Sequence, residues 1–478
     1  MKDTLTLPQV FPVTCHTNYV GPGSTFIAIK GYKEDGRNYI HLALEKGATT
    51  IIVQRDTKLS ADIHKQIREK GAQIQFVENT RATLAHLSAH VLNYPAKKLR
   101  IIGITGTKGK TTTTFLVEHI LKEAGYKTAR ISSVNNAILG KSKRSSLTTP
   151  SADYLQIFFD QCVKNGVEWV VLEVAAHALA LDRTAGISFD GVVFTNFESE
   201  HLEFFKDLNE YFNTKLRIFE QLKPGAPAFI NDDNIWCKKI PSYYPFIKRF
   251  GIDKPELDIT ALVDHGWENR LSFTIPWQAR KHKLICPTLF GNFNAYNIIG
   301  AVGISLNLNI PMETIAAALY SFPGIPGRQD YYKLPNGATC IIDYAHTPES
   351  FKAILSFLRA CTDHLIVIFG AGGERDQRKR PLIGKEAALY ADIIILTTDN
   401  PRSENPYQII EDIFTGIPPE KESNVFQEVD RAKAIKKAYN LSSANSIITI
   451  LGKGAEESQI IGNSILPFSD KVTILELS

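Results

Sequence analysis

The stretch Leu99 to Thr112 constrains the fold more than any other part of the chain. Leu99 to Thr105 is an apolar run of strand length. It leads into Gly103-Ile104-Thr105-Gly106-Thr107-Lys108-Gly109-Lys110-Thr111-Thr112, and Lys110 to Ala124 then reads as a helix. A strand that feeds a helix through a glycine turn is half of a βαβ unit, which calls for a parallel sheet covered by helices. Gly106 and Gly109 let the backbone curl its N–H groups around phosphate oxygens. The helix N-terminus adds positive potential, Lys110 supplies a cation, and the Thr111 hydroxyl, followed by Thr112, is placed to ligate Mg²⁺. Gly106 lies three residues before Gly109, so the spacing departs from the standard phosphate loop. On its own the motif leaves kinase, ATPase and ligase open.

The same texture continues on both sides. Tyr39 to Lys46 reads as a helix that stops at Gly47, and Thr49 to Val53 as a strand; Lys65 to Val77 repeats that helix-glycine-strand pass. Asn93 to Lys98 reads as a linker. Val167 to Val174 and Gly191 to Thr195 are further buried-strand runs. Pro323 to Arg328 is a proline- and glycine-rich break, and beyond it Thr339 to Ile342, His364 to Phe369, Asp392 to Thr398 and Ser446 to Leu451 read as strands with helices between. Strands that alternate with helices predict an α/β protein with doubly wound sheets, and 478 residues predict roughly three domains.

Composition narrows the function. Charged residues make up 22% and the net charge is only +4, which argues against a nucleic-acid partner. No apolar run approaches the ~18 residues of a membrane span, and Met1 to Val10 does not read as a signal peptide. The six cysteines are scattered without a CxxC pair, as expected of reduced thiols in a cytoplasmic protein.

Glu173 ends one strand run and His201 follows another. Ligands of doubly wound sheets gather at strand carboxyl ends, so these two side chains are candidates for a second Mg²⁺ beside the phosphate loop. Around Lys215, residues Tyr211, Lys215 and Phe219 share one helical stripe, with Ile218 and Leu222 beside it. A lysine on an apolar stripe must snorkel, pair or be modified.

These features together resemble the Mur ligases of peptidoglycan synthesis. The resemblance rests on the phosphate loop, Glu173 with His177, Phe194-Thr195-Asn196 with His201-Leu202, and the Tyr211-Phe212…Lys215…Phe219 helix. Gly291 to Asn297, Pro326-Gly327-Arg328 and Asp343-Tyr344-Ala345-His346-Thr347-Pro348 extend it, so that it covers nearly the whole chain. It looks closest to the members that add the third residue of the stem peptide. The resemblance implies a carbamylated Lys215, with Thr111, Glu173, His201 and that carbamate around Mg²⁺. Lys110, Lys215 and His201 take the catalytic roles. Asn297, Arg328 and Asp343 join the loop in holding ATP, and Thr148, Thr149 and Arg183 touch the UDP-sugar substrate. Gly372-Gly373-Glu374-Arg375-Asp376, Asp399-Asn400-Pro401-Arg402 and Gly452-Lys453-Gly454-Ala455-Glu456 resemble the amino-acid pocket. There Arg375, Asn400, Arg402, Gly452 and Glu456 are expected to take meso-diaminopimelate. An arginine can fork onto the carboxylate at its far end, and a carboxylate can pair its ammonium.

The sequence also departs from the family pattern. Lys108 replaces a usual asparagine, Ala175-Ala176 a usual Ser-Ser, Thr17-Asn18 a usual Ser-Arg and Ala455 a usual histidine, and Glu198-Ser199-Glu200 is altered before His201. The ATP and metal machinery therefore reads as complete and the nucleotide-sugar site as edited. The implied architecture is a UDP-sugar domain over 1–97, a central ATP-binding domain over 98–327 with the phosphate loop on a doubly wound sheet, and a Rossmann-like amino-acid domain over 328–478. The implied reaction adds meso-diaminopimelate to UDP-MurNAc-L-Ala-D-Glu through an acyl phosphate, with domain closure excluding water. The expected partners are small molecules (UDP-sugar peptide, amino acid and ATP) acting on a cytoplasmic monomer. The rival readings are a ligase for a different acid and a catalytically silent binding protein of the same fold.

Overall fold

The computed structural model describes residues 4–31, 34–200, 203–264 and 271–477. The chain packs into two compact units. One holds residues 1–263, 273–284 and 296–320, and the other 264–272, 285–295 and 321–478.

The first unit carries a four-stranded sheet of β1 (Val13–Thr14), β2 (Thr25–Ile27), β3 (Thr50–Gln54) and β4 (Gln73–Val77) in that order, all parallel. Ile51, Ile52 and Val53 of β3 are all buried, as expected of an inner strand covered on both faces. Helices Ile40–Glu45 and Ala61–Glu69 precede β3's and β4's glycine stops, matching the two helix-glycine-strand passes of the sequence. The central sheet runs through β5 (Arg100–Thr105), β6 (Thr128–Ile131), β7 (Asn135–Ile138), β8 (Lys141–Arg144), β9 (Trp169–Glu173), β10 (Gly191–Phe194), β11 (Ala228–Asn231), β12 (Lys248–Ile252), β13 (Ile259–Asp264), β14 (Leu271–Trp277) and β15 (Arg280–Cys286). Its spatial order is β15-β14-β13-β12-β11-β10-β5-β9-β6-β7-β8. Strands β5, β6 and β9 to β13 are parallel, whereas β7 and β8 add an antiparallel ribbon at the edge. That ribbon was not expected from the sequence, because Lys141-Ser142-Lys143-Arg144 offers no apolar alternation. Strands β9 and β10 follow each other in sequence yet lie on opposite sides of β5. The loops at their carboxyl ends therefore diverge and leave a crevice over the end of β5, the place where doubly wound sheets bind ligands.

In the second unit, β16 (Asp330–Lys333), β17 (Thr339–Asp343), β18 (Leu365–Phe369), β19 (Ile393–Leu396), β20 (Val425–Gln427) and β21 (Ile447–Leu451) form a sheet of order β16-β17-β21-β18-β19-β20. Only the edge strand β16 is antiparallel. Successive side chains point to opposite faces, and both faces are covered. Ile341, Val367, Phe369 and Leu396 pack into one core, and Cys340, Ile342, Ile366 and Ile368 into the other. The near-continuous apolar runs in the sequence follow from this double burial. The break at Pro323 to Arg328 falls between helix Met312–Tyr320 and β16.

Arg431 and Asp470 tie the carboxyl end of this sheet together. Both side chains are 0% exposed, and Arg431 donates from Nε to Asp470 Oδ1 at 2.7 Å and from Nη2 to Oδ2 at 2.8 Å. The same guanidinium reaches the carbonyls of Leu451 at 3.0 Å and Thr398 at 3.5 Å, just where the 399–402 and 452–456 turns begin. Removing one partner strands a buried charge. Asp470→Ala is therefore expected to destabilise the second unit by about 3–5 kcal/mol, read by denaturant unfolding, and a loss under about 1 kcal/mol would contradict this role.

Candidate active site

The phosphate loop is held from below by the turn that follows β10. Thr195 Oγ1 donates to the carbonyl of Lys108 at 2.6 Å, Asn196 Oδ1 accepts the Lys108 N–H at 2.8 Å, and the carbonyl of Asn196 accepts the Thr107 N–H at 2.9 Å. Gly106 (φ +137°) and Gly109 (φ +78°) admit no side chain. A Cβ on the first would overlap Thr195 Oγ1, and a Cβ on the second would overlap Asn297 Oδ1. Asn297 is thus packed against the loop glycine at the start of helix Lys110–Glu123. Lys110 folds back over the loop, with Nζ 2.9 Å from the carbonyls of both Gly106 and Thr107. Thr112 is buried beneath it.

Two departures from the family pattern meet at this loop. Lys108 Nζ lies 3.0 Å from Glu200 Oε1. The altered lysine and the altered segment before His201 therefore compensate each other in charge. His201 itself lies outside the described residues, as does Leu202.

Lys215 does not snorkel. Its side chain is buried on helix Leu208–Glu220 at 1% exposure, stacked 4.9 Å from the centre of the Tyr211 ring, and Nζ donates to the Gly106 carbonyl at 2.7 Å. Burial, and then the nearby charge of Lys110, hold its amine well below the ordinary lysine range. At the start of the loop's helix, Thr111 Oγ1 and Ser133 Oγ are 2.8 Å apart, and the Ser133 N–H donates to Glu173 Oε1 at 2.9 Å. The structure thus brings Lys110, Thr111, Glu173, Lys215 and Asn297 to the end of β5. It adds Ser133, Thr195 and Asn196, which the sequence reading gave no role of their own.

The UDP-sugar candidates line the neighbouring part of the same unit. Arg183 Nη1 donates to the Thr149 carbonyl at 2.7 Å, and Thr149 Oγ1 donates to the carbonyl of Glu173 at 2.7 Å. Thr148 is half-buried beside it. Arg183, His177, Thr17, His16, Arg81 and Phe204 border a cavity of about 620 Å³. Ala176 is 2% exposed within the central core, and the Ala175 N–H donates to Thr149 Oγ1 at 3.0 Å.

In the second unit Asp343 ends β17. Its carboxylate accepts the N–H groups of Gln329 at 2.9 Å and Ala345 at 2.8 Å. Burial pushes this carboxyl up, against the pull of the Arg328 guanidinium and those N–H groups. Arg328 stacks 4.2 Å over the Tyr344 ring. At the ends of β19 and β21 the fully buried Lys453 is the hub. Its Nζ lies 2.9 Å from Glu456 Oε2, 3.5 Å from Asp399 Oδ1 and 3.2 Å from Asn400 Oδ1, and Asn400 Nδ2 donates to Glu456 at 2.8 Å. Gly452 (φ +107°) lets the chain turn past Asp399. Glu456, expected to pair a substrate ammonium, also shares its charge with Lys453. A lysine between two glycines directly after an apolar strand was the sequence signal for that hub.

Arg402 lies on a left-handed turn (φ +52°), and its Nη1 donates to the Gly373 carbonyl at 2.6 Å. A Cβ on Gly372 would lie 3.2 Å from Arg402 Nη1 and 3.5 Å from Arg375 Cγ, so the two arginines flank that glycine. Among the described residues, neither arginine pairs with a carboxylate.

The loop geometry makes a direct test. Gly109→Ala combines a left-handed backbone with a clash against Asn297, whereas Gly125→Ala (φ +87°) meets nothing within 4 Å. Gly125→Ala is expected to cost about 1 kcal/mol of stability in thermal melts, and Gly109→Ala clearly more, with loss of nucleotide binding by calorimetry. Equal effects of the two would contradict the packed loop.

The chain is similar to known proteins along most of its length. Residues 12–91 match the Mur ligase family catalytic domain, 104–305 the Mur ligase middle domain and 327–454 the Mur ligase glutamate ligase domain. The UDP-N-acetylmuramoyl-L-alanyl-D-glutamate–2,6-diaminopimelate ligase of Clostridium botulinum is 36% identical over 464 residues, covering 96% of this chain and 93% of that protein. The ligase of the same name from Clostridium perfringens is 37% identical, covering 95% and 92%. A solved structure of a ligase of that name superposes with a TM-score of 0.66 at 27% identity, over 98% of this chain and 94% of the other. The MurF ligase of Thermotoga maritima in complex with ADP, at 19% identity, shares the fold with a TM-score of 0.66 over 94% and 96% of the two chains. With matched domains running from residue 12 to residue 454 and such relatives along nearly its full length, this chain belongs to the Mur ligase family of ATP-dependent, amide-forming ligases.

Proposed function

We propose that this chain joins meso-2,6-diaminopimelate to the D-glutamyl γ-carboxylate of UDP-MurNAc-L-Ala-D-Glu, as a cytoplasmic monomer with domains over 1–97, 98–327 and 328–478. The observation that carries the reading is the pair of guanidinium groups, Arg375 and Arg402, that flank Gly372 without a carboxylate partner among the described residues. A substrate carboxylate supplies that partner. Glu456 and Asn400, held by Lys453, suit the adjoining ammonium. The names of the relatives point the same way.

In the first step a γ-carboxylate oxygen attacks the γ-phosphorus of ATP. The bond to the β-phosphate oxygen breaks, ADP leaves and an acyl phosphate forms. The loop N–H groups and Lys110 offset charge on the transferring phosphoryl group. In the second step the amine nitrogen attacks the acyl carbon, loses a proton and expels inorganic phosphate. The family resemblance assigns Asn297, Arg328 and Asp343 to ATP, and Thr148, Thr149 and Arg183 to the UDP-sugar peptide.

Mg²⁺ fits the oxygen donors Thr111 and Glu173, which share the Ser133 link. It supplies neutralisation of phosphate charge when bound. A bare Lys215 ammonium does not suit such a site. A neutral amine does: it takes up carbon dioxide, releases a proton and becomes a carbamate anion. The depressed basicity of Lys215 favours that neutral amine. Lys215→Ala is expected to lose ligation, with partial rescue by short carboxylic acids in the assay buffer. Unimpaired turnover without rescue would contradict the carbamate.

Specificity tests the amine assignment. The parent is expected to favour meso-diaminopimelate over L-lysine by about 10⁴-fold in kcat/KM, since lysine leaves the arginines unpaired. Arg402→Ala should bring that ratio within about ten-fold, through the diaminopimelate KM, with the ATP KM unchanged. Equal use of both amines by the parent would refute the pocket. A second reading, ligation onto a different acid, draws on Ala175 and Ala176, which offer no hydroxyl beside Thr149. Running the same assay with simpler acids in place of the UDP-sugar peptide separates the two.

A further inference from the structure

Arg380 is among the most deeply buried charges in the second unit. Its side chain, in the first turn of helix Lys379–Tyr390, is 1% exposed. Nη1 meets Asp412 Oδ2 at 2.8 Å and Nη2 meets Glu404 Oε2 at 2.7 Å. The two partners differ in what they hold. Asp412 lies on helix Pro406–Phe414, so its ion pair joins helix to helix. Glu404 lies in the turn two residues after Arg402, before the helix begins. Its other oxygen accepts the backbone N–H of Glu374, and Gln377 Nε2 is 3.4 Å from Oε2.

Glu404 therefore reaches from the turn that carries Arg402 to the loop that carries Arg375. Further stitches join the same two segments. The Gly373 N–H donates to the Asn400 carbonyl at 2.9 Å, Arg402 Nη1 donates to the Gly373 carbonyl at 2.6 Å, and Ser403 Oγ donates to Glu374 Oε1 at 2.8 Å. Gly373 sits so close that a Cβ there would overlap the Pro401 carbonyl. Glu374 (φ +54°) and Arg402 (φ +52°) are non-glycine residues in the left-handed region, a conformation that persists only where surrounding contacts impose it. Glu404 holds the Glu374 N–H directly, whereas the Arg402 backbone is held by its bonds to Ile460 and Gly462.

We propose that Glu404, anchored by Arg380, is a positioning residue for amine specificity: it sets the spacing between Arg375 and Arg402 and so the fit of the substrate's distal carboxylate. The proposal rests on the amine pocket assigned above. A bland alternative is that the Arg380 network only stabilises the fold. Asp412 provides the matched control, because it pairs with the same guanidinium yet touches neither loop.

The test measures KM and kcat for meso-diaminopimelate, L-lysine and ATP in full-length parent, Glu404→Gln and Asp412→Asn. Glu404→Gln keeps the side-chain shape and loses the charge. It is expected to raise the diaminopimelate KM about ten-fold and to lower the preference over lysine by a similar factor, since small displacements of binding groups cost that much. The ATP KM and the kcat at saturating amine should stay within about two-fold of the parent. Asp412→Asn should leave the preference unchanged even where it lowers the melting temperature equally. Ser403→Ala, an exposed change that removes one stitch, should shift the diaminopimelate KM in the same direction by about three-fold and guards against misfolding of the glutamine variant. An unchanged preference in Glu404→Gln overturns the proposal, as does an equal loss in Asp412→Asn. A parent with no preference for diaminopimelate would instead overturn the pocket assignment beneath it.

Discussion

The carbonyl of Gly106 accepts hydrogen bonds from two lysine side chains, Lys110 at 2.9 Å and Lys215 at 2.7 Å. Two ammonium groups on one oxygen would repel each other, the more so because Lys215 is buried away from solvent. Burial, and then the charge of Lys110, lower the basicity of the Lys215 amine. The arrangement also explains the loop's composition. Gly106 has no room for a Cβ above Thr195, and Gly109 has none beside Asn297. Thr195 and Asn196 in turn follow directly from β10, whose place beside β5 is set by parallel pairing. Sheet topology, loop shape and charge balance are thus one constraint.

The second unit solves a related problem with arginine. Arg431 closes the carboxyl end of the sheet through Asp470, and Arg380 joins helices and loops through Asp412 and Glu404. A planar guanidinium can face two carboxylates from different elements at once, as Arg380 does with Asp412 and Glu404. Among the described residues Arg375 and Arg402 have no carboxylate partner, unlike Arg380 and Arg431.

Much of this was legible in the sequence, and the reasons are physical. The strands β3, β5, β9, β10, β17, β18, β19 and β21 were visible because burial on both faces makes apolar runs. The phosphate loop was visible because close backbone approach demands glycine at set positions. Lys215 stood out because it breaks an apolar stripe. The edge ribbon β7–β8 was not legible, since exposed polar strands carry no periodic signal. The role of Lys453 was missed, although Gly452-Lys453-Gly454 after an apolar strand marked it. The link from Arg380 to Glu404 could not be read, because its partners lie 24 residues apart on a helix and a turn whose meeting is decided by packing. The pairing of Lys108 with Glu200 shows how two separate departures from a pattern make sense only together.

The central claim is that the chain transfers phosphate from ATP onto a carboxylate and then exchanges that phosphate for an amine. The most direct measurement labels the γ-carboxylate of UDP-MurNAc-L-Ala-D-Glu with ¹⁸O and follows the released phosphate by mass spectrometry with ATP and meso-diaminopimelate present. The account predicts one labelled oxygen in each phosphate released, together with one ADP for each amide formed. Unlabelled phosphate, released without matching amide, would mean that water and not the carboxylate receives the phosphoryl group, and would contradict the account.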